Sequence, residues 1–162
     1  MHSLHSTRKR IVVVDDDRAI LDLVSTRLTL AGYDVFSARD GQEAMSRISG
    51  VRPDAMVLDL NMPGLDGFGV LQRLGKAGTA RLPILVLTAR HDVADVQRAI
   101  GLGARDYLAK PFKDAQLLMR VARLVRPPVD RRSTDDVITG LDNLITVAAR
   151  EDESRPTLEL FD

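Results

Sequence analysis

The chain has 162 residues, 44% of them hydrophobic, with 23 basic and 23 acidic side chains and no cysteine. That length suits one domain with an extension, the missing cysteines exclude disulfides and thiolate metal sites, and the balanced charge gives no global attraction for nucleic acid. No apolar run approaches the ~20 residues of a membrane span, and Met1–Arg10 has no apolar core of a secretory signal, so a cytoplasmic location is expected.

Short apolar runs alternate with segments of helical period, and the runs at 10–14, 34–38, 55–59, 83–88 and 106–109 read as strands. Between them, Ile20, Leu21, Val24, Leu28 and Ala31 form a helical stripe over 17–31, with Gly32 as its stop. Asp40 caps a helix over 40–49 that Gly50 closes. Segment 67–75 carries Phe68, Val70, Leu71 and Leu74; segment 92–102 carries Val93, Val96, Ala99 and Ile100. The last stripe, over 113–125, carries Leu117, Leu118, Val121, Leu124 and Val125. Alternation of this kind predicts a (βα)5 doubly wound parallel sheet with helices on both faces. Strand 10–14, the most apolar, is expected at its centre.

The pattern breaks at Arg126-Pro127-Pro128, where Pro-Pro excludes helix continuation and favours an extended link. Ser133-Thr134-Asp135-Asp136 then starts an amphipathic helix through Val137, Ile138, Leu141, Leu144, Ile145 and Ala148, weakened by Gly140. Residues 150–162 read as a flexible acidic tail. The expected organisation is a disordered 1–7, a domain over 8–126 and an extension over 127–162. From Arg126 to Asp162 there are five arginines and nine acidic residues, a net of −4, so the remainder carries +4.

Five polar side chains stand at the carboxyl ends of the apolar runs: Asp15 and Asp16, Asp59, Thr88, and Lys110. Open α/β sheets place their ligand sites at those ends. Three crowded carboxylates repel one another and offer the oxygens a hard divalent cation such as Mg2+ requires. Lys110 and Thr88 can stabilise a transferring phosphoryl group, and a carboxylate can be its nucleophile. Solvated helix caps would explain Asp15-Asp16 alone, but not Thr88 and Lys110-Pro111 in this order.

The strings Val14-Asp15-Asp16, Leu58-Asp59-Leu60-Asn61-Met62-Pro63-Gly64-Leu65-Asp66-Gly67, Leu87-Thr88-Ala89 and Gly103-Ala104-Arg105-Asp106-Tyr107-Leu108-Ala109-Lys110-Pro111-Phe112 carry a resemblance. Over about residues 8–126 the chain resembles the CheY-like receiver domain of bacterial two-component response regulators. The resemblance implies a flavodoxin-like fold with strand order 2-1-3-4-5. It implies a phosphoprotein whose Asp59 takes a phosphoryl group from the phosphohistidine of a histidine kinase or phosphotransfer protein. Asp16, Asp59 and the carbonyl of Asn61 would bind Mg2+, with Asp15 acting through water. Lys110 would pair with a phosphoryl oxygen and precede a cis bond to Pro111. Thr88 would swing toward the phosphate and Tyr107 turn inward, remodelling the face of the fourth helix, fifth strand and fifth helix. Asn61 and Arg90 would tune hydrolysis of the acyl phosphate. Such a domain modifies itself and turns over no external substrate, so it is not expected to be an enzyme. Asp15-Asp16-Asp17 also fits the start of aspartate-nucleophile phosphatases, which need a longer chain and a second acidic pair downstream.

Only 36 residues follow Arg126, too few for a winged-helix domain, so output by protein contact is expected and DNA binding is not. Arg120, Arg123, Arg126, Arg131 and Arg132, with Asp130, pose a separate question. They suit either a solvated helix face or an anion site, since guanidinium forks bind phosphates and guanine edges. The segment is similar in kind to the arginine sets with which CheY-like effectors bind cyclic di-GMP and engage the flagellar motor.

Overall fold

Five strands form one parallel sheet: β1 (Arg10–Val14), β2 (Asp34–Ala38), β3 (Ala55–Asp59), β4 (Ile84–Ala89) and β5 (Asp106–Lys110), in the order β2-β1-β3-β4-β5. The helices between and after them are α1 (Arg18–Leu30), α2 (Gly41–Val51), α3 (Gly67–Arg81), α4 (Val93–Gly101) and α5 (Asp114–Leu124). The computed structural model describes residues 7–89 and 92–126. The chain divides into two units, Met1–Arg126 and Pro127–Asp162, and the described residues belong to the first. The expected helix and tail after Arg126 lie outside them, as do Arg90, His91, Asp130, Arg131 and Arg132.

Alternation along the strands builds two apolar layers. Val12, Val14, Met56, Leu58, Ile84 and Val86 face α2, α3 and α4, meeting Ala44, Phe68, Val70, Leu71 and Ala99. Ile11, Val13, Val57, Leu85 and Leu87 face α1 and α5, meeting Leu21, Val24, Leu28, Leu117, Val121 and Leu124. The sheet is therefore the doubly wound architecture expected from the sequence.

Three local expectations need correction. The centre of the sheet is β3, whose five residues are all buried, and β1 lies beside it. An apolar run marks an interior strand but does not rank interior strands. α2 runs through Gly50 to Val51 and ends at Arg52, in a left-handed conformation (φ 52°) just before Pro53. Gly50 costs the helix only about 1 kcal/mol, whereas proline has no N–H to continue the ladder. α3 does break at Gly75 (φ 64°, ψ −179°), but a further turn reaches Arg81, and Thr79 Oγ1 donates back to the carbonyl of Gly75 at 3.1 Å.

Candidate functional site

The parallel register sets the strand ends level. Val14 pairs with Leu58, so Asp15 and Asp59 emerge side by side, each one residue beyond. Asp59 pairs with Leu87 and Ala89 with Lys110, so Lys110 shares the strand face of Asp59. The ammonium of Lys110 lies 2.8 Å from Asp15 Oδ2 and 3.3 Å from Asp59 Oδ1. Asp15 is wholly buried and Asp59 nearly so, while Asp16 is exposed. Around them opens a cleft of about 520 Å3 lined by Asp15, Asp16, Asp17, Ile20, Asp59, Asn61, Ala89, Lys110 and Pro111.

Local backbone fixes the two buried carboxylates. Asp15 Oδ1 accepts the N–H of Asp17 at 2.9 Å, and Asp17 in turn caps α1 by accepting from Ala19 at 2.9 Å. Asp59 Oδ1 accepts weakly from the N–H of Asn61 at 3.4 Å. Gly67, the first residue of α3, lets that helix rest on the end of β3. A Cβ there would stand 2.4 Å from the Asp59 carbonyl oxygen and 2.8 Å from Leu60 Cα, closer than any side chain tolerates. The Lys110–Pro111 bond is cis.

Burial, followed by the charge of Asp15, pushes the Asp59 carboxyl up from 3.8 to about 6, against the opposing pull of Lys110. Burial alone would lower Lys110, but its hydrogen bond to Asp15 and the charges of Asp59 and Asp15 outweigh that and raise it. Asp15, Asp16 and Asp59 each present an oxygen within 4.8 Å of the others. With Lys110 as counter-charge, these three carboxylates leave the cluster at −2. An oxygen-only donor set with excess negative charge fits a hard divalent cation, and Asn61 borders the same cleft.

Thr88 does not join this cluster in the present conformation. Its partner across the ladder is Ala109, one residue out of phase with Asp59 and Lys110, so its side chain leaves the opposite strand face. Its hydroxyl donates to the carbonyl of Ala89 at 3.3 Å, and it borders a second cavity of about 220 Å3. Tyr107, two residues before Ala109, borders the same cavity and is 43% exposed. The expectation of five side chains converging at one edge holds for position but splits into two faces.

The arginine set is also divided. Arg120 on α5 is held by Asp106 at 2.7 Å, so it is not an open fork for an anion. Arg123 and Arg126 are exposed. Sequence reasoning passed over Ile20 and Ala89, which have no chemical signature, and the close approach at Gly67, which an Asp-Gly pair at a helix start does suggest. Among the described residues no helix is long and apolar enough to cross a membrane.

Residues 11–122 match the family described as response regulator receiver domain. Response regulator MprA of a Mycobacterium species (strain KMS) is 44% identical over 143 residues, which cover 88% of this chain and 62% of that protein. A Porphyridium aerugineum protein named "Probable transcriptional regulator ycf27" is 43% identical over 129 residues, 80% of this chain and 52% of that one. The chain thus spans about half to three-fifths of these relatives' lengths. Among solved structures, chemotaxis protein CheY4 of Vibrio cholerae superposes with a TM-score of 0.68 at 33% identity, covering 72% of this chain and 98% of that one. A signal receiver domain from Bermanella marisrubri gives a TM-score of 0.67 at 40% identity, covering 74% and 99%.

Proposed function

The chain belongs to the response regulator receiver domain family, and on that premise we propose that it is a phosphoryl-accepting switch with Asp59 as the acceptor. The observation that carries the proposal is the position of Lys110, whose ammonium bridges Asp15 and Asp59 beside a cleft that Asp16 and Asn61 also line.

An oxygen of Asp59 attacks the phosphorus of a phosphohistidine on a histidine kinase or phosphotransfer protein. The P–N bond breaks, an aspartyl P–O bond forms, and the imidazole leaves. Mg2+, held by Asp15, Asp16, Asp59 and Asn61, would neutralise the carboxylates and the phosphoryl oxygens. Lys110 supplies a fixed positive charge against Asp15 and Asp59 themselves, in a partly buried place where water screens it less. Thr88 turns its hydroxyl toward the phosphoryl group and vacates its own cavity, which the Tyr107 ring then fills. That exchange couples a local charge to the surface of α4, β5 and α5.

The outcome is stoichiometric self-modification rather than turnover. Whether the output runs through protein contact or DNA does not alter this reading, and the matched relatives are longer than the matched region. Among the described residues nothing favours cyclic di-GMP: Arg120 is committed to Asp106, and Asp130, Arg131 and Arg132 lie outside them. The test is a titration with beryllofluoride and Mg2+, a phosphoryl mimic. The tyrosine signal should change in the wild type and stay flat in Asp59→Asn. A flat wild type contradicts the proposal.

A further inference from the structure

On α5, Arg120 turns toward β5. Its Nη1 lies 2.7 Å from Asp106 Oδ1, and its guanidinium carbon stands 5.9 Å from the centroid of the Tyr107 ring. The same Asp106 oxygen accepts the backbone N–H of Tyr107 at 2.8 Å. One carboxylate oxygen therefore ties down both the Tyr107 backbone and the cation beside its ring. The 220 Å3 cavity next to that ring is lined mostly by apolar surface of Val93, Val96 and Ala109, with Thr88, Asp92 and Gln97 as its polar members. Apolar cavities of about 150 Å3 accept a benzene ring, so there is room here for a phenol.

We propose that Arg120 is a positioning residue that latches Tyr107 in its outward place and so sets the balance of the switch. The inference rests on the reading of Asp59 given above. Two opposing preferences meet at Tyr107. Filling the cavity draws the ring inward, and the guanidinium holds it outward, since a planar cation is favoured over an aromatic face. At a partly exposed site that hold amounts to a factor of about two to five in the ratio of outward to inward forms. The Nε of Arg120 is buried without an acceptor. An unmet donor weakens the arrangement and leaves it open to reversal.

The plainer alternative is a staple, in which Arg120 and Asp106 fasten α5 to β5 and the ring is a bystander. The two differ in whether the effect of Arg120 depends on Tyr107. The full chain has two tyrosines and no tryptophan, so Tyr33→Phe leaves Tyr107 as the sole emitter. In that background, Arg120→Met should reduce acrylamide quenching of Tyr107 before any ligand is added. It should also tighten the apparent affinity for beryllofluoride with Mg2+ by about two- to fivefold, because a ligand that selects the inward form gains from a larger population of it. Asp106→Asn, which frees the guanidinium from its anchor, should shift both readouts the same way. In a Tyr107→Leu background, followed by thermal shift, Arg120→Met should leave the affinity unchanged.

Unchanged quenching and affinity in both Arg120→Met and Asp106→Asn would overturn the latch. So would an affinity change that persists in the Tyr107→Leu background, which would mean a staple. A wild type that ignores beryllofluoride would remove the Asp59 switch itself, a result distinct from either.

Discussion

Replacing Asp59 with Asn tests the electrostatics on which the site depends. Burial and the neighbouring Asp15 charge hold the Asp59 carboxyl at about 6, against 3.8 for an unperturbed group. A carboxyl whose native pKa lies above its unfolded value binds its proton more tightly in the folded chain. Its contribution therefore favours the native state in acid and is lost as pH rises from about 4 to about 6. At about 1.4 kcal/mol per pH unit, the ceiling on this loss is roughly 3 kcal/mol near neutral pH. Asparagine has the shape of the protonated acid but replaces one acceptor oxygen with an NH2 donor beside the Lys110 ammonium, so the expected gain is about half that ceiling, or 1–2 kcal/mol. For a domain of this size such a gain raises the melting temperature by roughly 5 °C. Thermal unfolding in EDTA between about pH 4 and pH 8 reads it directly. The variant should melt higher near pH 7, the two proteins should converge near pH 4, and Mg2+ should narrow the gap by stabilising the wild type. A variant no more stable than the wild type near pH 7 would refute the argument.

Other consequences follow from the same geometry. Lys110→Met leaves two buried carboxylates without their cation, and urea unfolding near neutral pH should show a loss of about 3 kcal/mol that shrinks in acid as Asp59 takes up a proton. Gly67→Ala drives a methyl into the Asp59 carbonyl. It should cost about 1–3 kcal/mol by denaturant unfolding and lower phosphoryl acceptance as the end of β3 shifts. Arg27→Ala removes the 2.8 Å pair with Asp114, but both side chains are nearly half exposed. Its melting curve should indicate a change below about 1 kcal/mol, with beryllofluoride binding intact. Mg2+ at a hundredfold excess over its dissociation constant should stabilise the wild type by about 2.7 kcal/mol, and Asp16→Asn should blunt that response.

Much of the fold was legible because its interior is built from uninterrupted apolar runs. Ile11–Val14 and Leu85–Leu87 are buried on both sides and could only be interior strands of a parallel sheet. The stripe of Leu21, Val24 and Leu28 had no other use than to cover one face. Asp15, Asp59 and Lys110 could be placed together because each ends a strand, and strand ends share an edge. Two kinds of information stayed out of reach. One was how helices end: Gly50 looked like a stop, but Pro53 ended α2, and the stripe read only to residue 75 gains a further turn, supported by Thr79, after the break in α3. The other was the phase of pairing. That Thr88 leaves the face opposite Asp59 depends on Asp59 pairing with Leu87, a fact of tertiary register rather than of either strand. For the same reason Arg120 read as one of a row of arginines. Only the packing of α5 on β5 reveals its partner as Asp106.

On the proposed reading, Asp59 accepts a phosphoryl group with help from Lys110 and a divalent cation. Intact-mass spectrometry after incubation with a small phosphoramidate donor and Mg2+ reads this transfer. The wild type should gain the mass of one phosphoryl group, located on Asp59 by peptide mapping. The adduct should be absent in Asp59→Asn and lost when EDTA is added before the donor. An adduct of equal yield in Asp59→Asn, or none in the wild type, would rule out that role for Asp59.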